Sequence, residues 1–297
     1  MSTGTHERML LITNPASGGS DDADLTALIE ALGGPPSVGH VAPALDEIHD
    51  VMKGEARDAD VVVVAGGDGT LHVVVDALAD DLHRTTIGLI PLGTGNDLAR
   101  TLGIPDEPIE AARAVVAGRD ARIDVAVAET ADGVRRRFLN ASIGGFPVAV
   151  DEAVSDRLKR AVGPAAYTMA SVKVATDLPR YTVTLDGRVI EDCLAAGVGN
   201  GRTVGGGIPM WPDADPGDGL LDGCAVPAGG IADAVKVGVR VRAGTHDELP
   251  EVITTRGGEI RIDADPPMEM NVDGELIGVR TPVTFRLDGT TTVRVPG

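Results

Sequence analysis

The fold of the amino-terminal half is decided by Val61-Val-Val-Val-Ala-Gly-Gly-Asp-Gly-Thr-Leu-His72. The apolar run at 61–65 predicts a strand buried on both faces, and the glycines after it predict a tight turn into a helix. Similar apolar strands are predicted at 9–13, 38–41 and 87–90, each followed by a helix. Strands that are apolar on both faces and alternate with helices are typical of a parallel sheet covered on both sides.

The pattern changes near residue 120, where short strands separated by Gly, Asp and Pro turns replace the alternation. The predicted strands are 121–128, 134–142, 181–185, 189–198, 220–226, 260–262, 268–272, 283–287 and 291–295, and the predicted helices are 148–161, 164–177 and 231–241. Such strands predict an antiparallel β-sandwich. We therefore predict an α/β domain at 1–122, a mainly β-sandwich domain at 123–297 and an active site in the cleft between them. Whether the last strand returns to the first domain is left open.

The chain of 297 residues is strongly acidic, with 45 acidic and 26 basic residues and a formal net charge of −19. This charge argues against general binding to nucleic acid or to an anionic membrane, so an anionic ligand needs backbone amides or a metal ion. Only Lys53, Lys159, Lys173 and Lys236 are lysines, and aspartate outnumbers glutamate. Such a surface predicts a halophilic protein, because high salt screens self-repulsion; an acidic protein from a GC-rich genome is the alternative.

Residues 1–8 are polar, and the sequence has no apolar stretch of the length that a membrane span requires. Cys193 and Cys224 are too few for a disulfide framework and are predicted to be buried thiols. We therefore expect a cytoplasmic protein without a transmembrane segment. Whether it is a monomer or a homodimer is left open.

Three glycine-containing segments, 14–19, 66–70 and 93–97, follow predicted parallel strands. The carboxyl ends of parallel strands meet at one edge of a sheet, so these turns should gather there. Glycine permits positive φ and close approach, and backbone N–H groups at a helix start can then bind a phosphate. The turn at 66–70 has neither dinucleotide-binding nor P-loop spacing. A simple strand-to-helix turn capped by Asp68 is the alternative.

Five motifs resemble those of the diacylglycerol kinase-like lipid kinases, a family that includes bacterial diacylglycerol kinases, sphingosine kinases and ceramide kinases. They are Asn14-Pro-Ala-Ser-Gly18, Gly66-Gly-Asp-Gly-Thr-Leu-His72, Pro91-Leu-Gly-Thr-Gly-Asn-Asp-Leu-Ala99, Pro212-Asp-Ala-Asp-Pro-Gly-Asp-Gly-Leu-Leu-Asp222 and Asn271-Val-Asp-Gly-Glu275. The motifs occur in family order and span nearly the whole chain. The resemblance implies an α/β nucleotide-binding domain followed by a β-sandwich domain.

The resemblance also implies the site residues. ATP would contact Asn14, Pro15, Ala16, Ser17, Gly18, Gly66, Gly67, Asp68, Gly69, Thr70, Leu71, His72, Thr94, Gly95 and Asn96. A structural Mg²⁺ would be held by Asp215, Asp218 and the backbone carbonyl of Leu220, and a catalytic Mg²⁺ would be organised through waters by Asp68, Asp97 and Asp124. Glu275, assisted by Asp273, would be the catalytic base. The implied reaction transfers the γ-phosphoryl group of ATP to a hydroxyl of a diacylglycerol-like or ether lipid at a membrane surface.

The residue types suit this chemistry without the resemblance. Phosphoryl transfer needs neutralised charge, an aligned hydroxyl and a carboxylate that takes its proton. Mg²⁺ prefers a few carboxylates plus waters, which scattered aspartates can supply. The alternatives are structural, because 213–219 is also typical of a pair of turns and Asp273-Gly-Glu275 of a hairpin turn.

Some segments differ from the family or stay unassigned. Gly19 stands where family members often carry Lys or Arg, and 39–43 lacks the threonine expected near the nucleotide. The basic clusters 135–137 and 156–160 are interpreted as solvated faces, with contact to a lipid headgroup as the alternative. The segment 201–209 is predicted to be a loop over the cleft, either a lid or a spacer.

Two other functions are left open. An NAD kinase or another small-molecule kinase shares the Gly-Gly-Asp-Gly-Thr turn, although the segments 93–97 and 215–222 favour a lipid kinase. A nucleotide-binding regulator that has lost catalysis is the second alternative, with Gly19 as its supporting feature.

Overall fold

The computed structural model describes residues 7–14, 22–35, 37–145, 179–227 and 229–297. The predicted helices at 148–161 and 164–177, and with them the basic cluster at 156–160, lie outside the described residues. The chain divides into two compact units. Unit 1 contains Met1–Val125, Pro216–Asp218 and Asp288–Gly297, and unit 2 contains Ala126–Asp215 and Gly219–Leu287.

Unit 1 is built on a parallel sheet. Its strands are β1 (Met9–Thr13), β2 (Val38–Val41), β3 (Val61–Gly66) and β4 (Thr86–Pro91), in the order β2-β1-β3-β4, and the carboxyl-terminal part of β15 (Val283–Val295) lies parallel beside β4. Every residue of β1 and of β3 is buried, as expected for strands covered on both faces. The predicted α/β fold with a parallel sheet is confirmed.

The helices of unit 1 alternate with these strands. They are α1 (Asp22–Ala31), α2 (Ile48–Lys53), α3 (Asp68–Leu78), α4 (Asp97–Thr101) and α5 (Pro108–Ala117), with 3₁₀ turns at Leu45–Glu47, Glu55–Asp58 and Ala79–Arg84. At the start of α5 the Glu107 side chain accepts the backbone N–H of Glu110, and a proline occupies the first turn. The helix predicted after the strand at 38–41 is not a single α-helix. Its first turn is a 3₁₀ turn that Glu47 closes by accepting the N–H of Ala44.

Unit 2 is mainly antiparallel. Its strands are the end of β5 (Arg119–Thr130), β6 (Arg135–Phe138), β7 (Ala141–Gly145), β8 (Tyr181–Leu185), β9 (Arg188–Gly199), β10 (Leu221–Pro227), β11 (Ile253–Gly257), β12 (Glu259–Asp265), β13 (Glu269–Val272), β14 (Glu275–Arg280) and the start of β15. They follow the order β14-β13-β7-β9-β8-β12-β15, with β10 between β9 and β11 and β6 beside β5. In the described part of unit 2, the α-helix α6 (Ile231–Ala243) ends at Gly244, whose φ is +67°.

Two clusters of buried side chains form the core of unit 2. The first surrounds Phe138 and Phe285, whose rings meet edge to face with centroids 6.1 Å apart. The second surrounds Trp211. The cysteines lie one in each cluster, and burial raises the pKa of the Cys193 and Cys224 thiols to about 12. The prediction of buried free thiols is confirmed.

Three predicted strands have different limits in the structure. The segment 134–142 is two strands, β6 and β7, because the N–H groups of Leu139 and Asn140 donate to the Asp273 carboxylate. The segments 283–287 and 291–295 are one strand, β15, which contains Gly289 at φ +95°. β11 was not predicted, because its residues alternate only between half-buried and exposed.

Across the described parts of the chain, no helix combines the length and the apolar character that crossing a membrane requires.

Candidate active site

The carboxyl ends of β1, β3 and β4 lie together in unit 1, as their parallel order requires. Asn14, directly after β1, donates from Nδ2 to Thr70 Oγ1 at 3.3 Å. The N–H of Leu92, directly after β4, donates to the carbonyl of Gly66 at 3.0 Å. The predicted gathering of the three turns is confirmed for their described residues. Outside the described residues lie Pro15, Ala16, Ser17, Gly18 and Gly19.

The glycines in the turns after β3 and β4 are required by close approach of the two backbones. A Cβ at Gly93 would lie 2.5 Å from the Cα of Gly67, and a Cβ at Gly67 would lie 3.1 Å from the Cα of Gly93. Neither glycine has a positive φ, whereas Asn96 does, at +54°. Of the two properties that glycine permits, close approach is the one that Gly67 and Gly93 show.

Asn96 closes the turn after β4. Its Nδ2 donates to the carbonyl of Gly93 at 2.7 Å, and its Oδ1 accepts the N–H of Gly93 at 3.1 Å. Thr94 is exposed within this turn. The turn therefore presents backbone and a hydroxyl to solvent, which suits contact with a phosphate.

Asp68, Asp97 and Arg100 form a connected set beside these turns. The backbone N–H of Asp97 donates to Asp68 Oδ1 at 3.0 Å. Arg100 Nη1 donates to Asp97 Oδ1 at 3.1 Å and to the carbonyl of Gly95 at 2.9 Å. A Cβ at Gly95 would lie 2.5 Å from Asp68 Oδ2, so a larger residue would displace this carboxylate. Two predicted metal-organising aspartates are thus brought together with a cation.

The remaining predicted residues of α3 face the interior of unit 1. Thr70, Leu71 and His72 are buried, and His72 Nδ1 has no hydrogen-bond partner among the described residues. Gly66, Gly67, Asp68 and Asn96 line, with apolar neighbours, a cavity of about 20 Å³, which has room for one water. These buried α3 side chains can therefore influence ATP binding only indirectly, by supporting the turn that precedes them.

Asp124 is buried within β5, where it is the sixth residue. Its backbone N–H donates to the carbonyl of Pro216 at 2.6 Å. This bond fixes the segment 216–218, which carries Asp218, to β5 within unit 1. Asp124 and Asp218, assigned to two different ions by the resemblance, therefore belong to connected parts of one unit.

Asp273 and Gly274 form the two-residue turn between β13 and β14, with φ of +48° and +89°. Positive φ at both positions is the mark of a type I′ hairpin, so the predicted hairpin turn is confirmed. The Asp273 carboxylate is buried and accepts three backbone N–H groups at 3.0 Å each, from Leu139, Asn140 and Ala141. Glu275, the first residue of β14, is exposed and pairs with Val272.

Comparison with known proteins shows the family to which the chain belongs. Residues 8–128 match the model of the diacylglycerol kinase catalytic domain, and residues 140–293 match that of the YegS C-terminal NAD kinase beta sandwich-like domain. A diacylglycerol kinase of Bacillus subtilis is 30% identical over 92% of this chain and 91% of its own length. The chain belongs to the diacylglycerol kinase family of lipid kinases.

Other members of the family agree in sequence and in fold. A probable lipid kinase YegS-like protein of Stenotrophomonas maltophilia is 34% identical over 77% of this chain and 75% of its own length. The crystal structure of a putative diacylglycerol kinase from Bacillus anthracis has a TM-score of 0.79 at 29% identity, covering 97% of both chains. Family membership makes the protein a phosphotransferase with an alcohol acceptor and agrees with the predicted order of an α/β domain and a β-sandwich-like domain.

The oxygen atoms expected to hold Mg²⁺ in this family member fit an ion with several waters. Asp215 and Asp218 are exposed carboxylates, and Leu220 offers a backbone carbonyl. Within the described residues, no three side chains of His, Cys, Asp or Glu are grouped so that they could hold a metal ion by themselves. Mg²⁺ usually retains waters and takes only one or two carboxylates from a protein, so this donor set suits it.

Three residues of the candidate site were missed by sequence reasoning. Arg100 carries a recognisable signal, since a cation three residues after Asp97 on a helix lies on the same face. His40, at the end of β2, shares a hydrogen bond of 2.9 Å between its Nε2 and Thr13 Oγ1, and burial lowers its pKa. Asn140 gave no signal, because its role depends on Asp273, which lies 133 residues away.

Proposed function

We propose that the protein is a lipid kinase that uses ATP and Mg²⁺ to phosphorylate a hydroxyl of a diacylglycerol-like or ether lipid. The observation that carries the proposal is the contact between the turns after β3 and β4, where Gly67 and Gly93 bring two backbones together beside Asp68 and Asp97. Backbone at strand ends can bind phosphate without lysines, as an acidic chain of net charge −19 requires.

In the proposed reaction the acceptor hydroxyl attacks the γ-phosphorus of ATP. The new oxygen–phosphorus bond forms as the bond from the γ-phosphorus to the bridging β–γ oxygen breaks, and ADP leaves. Glu275 is the proposed base that takes the hydroxyl proton, because its carboxylate is exposed at the start of β14. The turns at 66–70 and 93–96 are the proposed phosphate contacts.

Two sets of residues are proposed to hold Mg²⁺. Asp215, Asp218 and the carbonyl of Leu220 would hold a structural ion, and Asp68, Asp97 and Asp124 would organise a second ion through waters. Bound Mg²⁺ supplies positive charge that neutralises the phosphates. The hydrogen bond from the Asp124 N–H to the Pro216 carbonyl supports a link between the two sets.

The proposed setting is the cytoplasm, where the enzyme meets its lipid at a membrane surface. Adaptation to high salt is part of the proposal, because arginine outnumbers lysine and the net charge is −19. At low ionic strength a surface of this charge repels an anionic bilayer, and high salt screens the repulsion.

The test supplies folded protein at high salt with γ-labelled ATP, Mg²⁺ and a mixed lipid extract. The expected result is Mg²⁺-dependent label in a lipid, and the mass of the labelled product identifies the acceptor. Parallel reactions with NAD test the small-molecule kinase alternative, which predicts label in NAD and none in lipid. A protein that binds ATP yet labels neither acceptor would support a regulator without catalysis.

A further inference from the structure

The Asp273 carboxylate is engaged by the main chain on both of its oxygens. Oδ2 accepts the N–H of Leu139, and Oδ1 accepts the N–H groups of Asn140 and Ala141, all at 3.0 Å. The backbone of Asp273 returns one more bond, from its N–H to the carbonyl of Ala141 at 2.8 Å. Only 7% of the residue is exposed. Three backbone donors around one carboxylate match its charged form and hold it in one orientation.

The same backbone segment, 139–141, is held from its other side by the end of β9. The carbonyl of Asn140 accepts the N–H groups of Asn200 at 2.8 Å and of Gly201 at 2.7 Å. Asn200 Nδ2 donates to the carbonyl of Leu139 at 2.7 Å, and Asn140 Nδ2 donates to the carbonyl of Thr203 at 2.9 Å. Residues 139–141 therefore connect the turn that carries Glu275 to the first residues of the glycine-rich loop at 201–209.

A second Asp-Gly turn in unit 2 shows what an aspartate at this turn position needs when it is not connected to residues 139–141. Asp186 and Gly187, between β8 and β9, have φ of +47° and +82°. The Asp186 carboxylate also accepts a backbone N–H, from Arg261 at 2.8 Å, and a hydroxyl, from Thr255 at 3.0 Å. Asp186 is nevertheless exposed. An aspartate at this turn position therefore needs neither burial nor three backbone donors.

We propose that Asp273 is a positioning residue that fixes the backbone of Glu275 and the start of the 201–209 loop through residues 139–141. It does not carry the proton of the reaction, because both of its oxygens already accept hydrogen bonds from the main chain. The inference rests on the proposed function for the role of Glu275. It goes beyond that function by joining the base and the glycine-rich loop in one hydrogen-bonded unit.

The test compares Asp273→Asn with Asp186→Asn. Asparagine keeps the shape of the side chain but turns an NH₂ group toward backbone donors. For Asp273→Asn we expect kcat to fall about 100-fold, the loss that misplacement of a reacting group by about 1 Å produces. The dissociation constant of ATP and the midpoint of the acidic limb of the pH–rate profile should stay unchanged. For Asp186→Asn we expect kcat within about twofold of wild type, since its turn lies outside the hydrogen-bonded unit.

Two results would overturn the proposal. A kcat of Asp273→Asn within threefold of that of Asp186→Asn would mean that the three bonds do not position Glu275. Loss of the acidic limb, or a shift of its midpoint by a full pH unit, would make Asp273 a proton-carrying group. A loss of stability alone would leave both kcat and ATP affinity unchanged in the folded fraction. The two parameters are therefore measured separately, each per folded molecule.

Hydrogen exchange supplies a readout that needs no substrate. In Asp273→Asn the amides of 139–141 and of 200–203 should exchange at least tenfold faster, while the amide of Arg261 stays protected. If Asp273→Asn does not fold, Asn200→Ala is used, because it removes the bond to the Leu139 carbonyl from the opposite side. Faster exchange at 139–141 in that variant supports the connection, and unchanged exchange contradicts it. A wild-type protein that labels no lipid would refute the proposed function and leave this exchange result standing.

Discussion

Asp97 in unit 1 and Asp273 in unit 2 are both buried carboxylates of the candidate site, and they are held by opposite means. Asp97 in unit 1 is 5% exposed and contacts Arg100, whose side chain is 37% exposed. Asp273 in unit 2 is 7% exposed and is held by three backbone N–H groups. An arginine can exchange one acceptor for another when a phosphate arrives, whereas main-chain donors cannot leave their strand ends. We therefore expect the contact between Asp97 and Arg100 to change when a ligand binds, and the Asp273 carboxylate to keep its position.

Gly93 in unit 1 and Gly274 in unit 2, which lie near the two carboxylates, are required for different reasons. At Gly93 a Cβ would collide with the backbone of Gly67. At Gly274 a Cβ would meet nothing within 4 Å, and glycine is favoured there by its φ of +89°. Space therefore requires glycine at position 93, and backbone conformation favours it at position 274.

The largest expected effect comes from Glu275→Gln, which removes the exposed carboxylate of unit 2 and leaves the buried carboxylate of Asp273 in place. Removing a general base lowers kcat by at least about 100-fold. The affinity for ATP should stay within about twofold, because the proposed nucleotide contacts lie in unit 1. Turnover of lipid and equilibrium ATP binding are measured on the same preparation. A variant with full turnover would leave unit 2 without a proposed base.

The next effect compares the two glycines directly, with Gly93→Ala set against Gly274→Ala. Forcing a methyl between the two turns of unit 1 costs about 1–3 kcal/mol, and because these turns are the proposed phosphate contacts, ATP affinity should fall by about fivefold or more. Gly274→Ala should instead lower the free energy of unfolding by about 1–2 kcal/mol, the cost of left-handed backbone for alanine. Calorimetric ATP binding and urea unfolding are measured for both variants. Equal ATP affinities in the two variants would contradict the assignment of the unit 1 turns to phosphate.

The buried strands of unit 1 were predictable from sequence because burial on both faces leaves a continuous apolar run. Val61–Gly66 shows this most clearly, and the turn after it followed from its glycines. The Asp273-Gly274 hairpin was equally local, because its two residues suffice for a type I′ turn. These features depend on residues that are neighbours in the chain, so short segments of sequence are enough to predict them.

The features that could not be predicted depend on partners far away in the chain. Strand 134–142 breaks at Leu139 because its N–H finds a carboxylate 134 residues further along. The gathering of the turns was expected, but the pairing of Gly67 with Gly93 was not, because each turn by itself has a sequence typical of any strand-to-helix connection. Sequence pattern proposed residues for the site, but it could not say which of the aspartates would be engaged by the main chain.

A smaller effect is expected from Arg100→Gln, which removes the cation of the unit 1 set. Loss of the bonds to Asp97 and Gly95 should weaken ATP binding in the presence of Mg²⁺ by about 3–10-fold, which corresponds to one or two ordinary hydrogen bonds at a partly exposed site. Arg100→Lys should recover part of the loss, because lysine keeps the charge without the planar fork. Arg113→Gln, an exposed change on α5, is the matched control. Equal binding by the Arg100 and Arg113 variants would remove the contrast between the two buried carboxylates.

The smallest expected effect concerns the pH dependence of the free energy of unfolding, to which a histidine of unit 2 should contribute more than a histidine of unit 1. His246 is 1% exposed, its Nε2 donates to the Met210 carbonyl at 3.0 Å and its Nδ1 has no partner among the described residues. Burial lowers the pKa of His246, although the bond to Met210 and the charge of Asp247 oppose the shift. The unfolded chain therefore binds a proton more readily than the folded one, and stability falls as pH drops below the unfolded value of about 6.5.

His246→Gln tests this expectation, because glutamine keeps a donor for Met210 and cannot titrate. The free energy of unfolding of the variant should change less between pH 7 and pH 5 than that of wild type, by at most about 1.4 kcal/mol per pH unit for one proton. His40→Gln is the comparison in unit 1, where burial also lowers the histidine pKa but the side chain is only half-buried. If His40→Gln removes more of the pH dependence than His246→Gln does, the acid-sensitive group lies in unit 1. The contrast between a responsive unit 1 and a rigid unit 2 would then hold for protons as well as for phosphate.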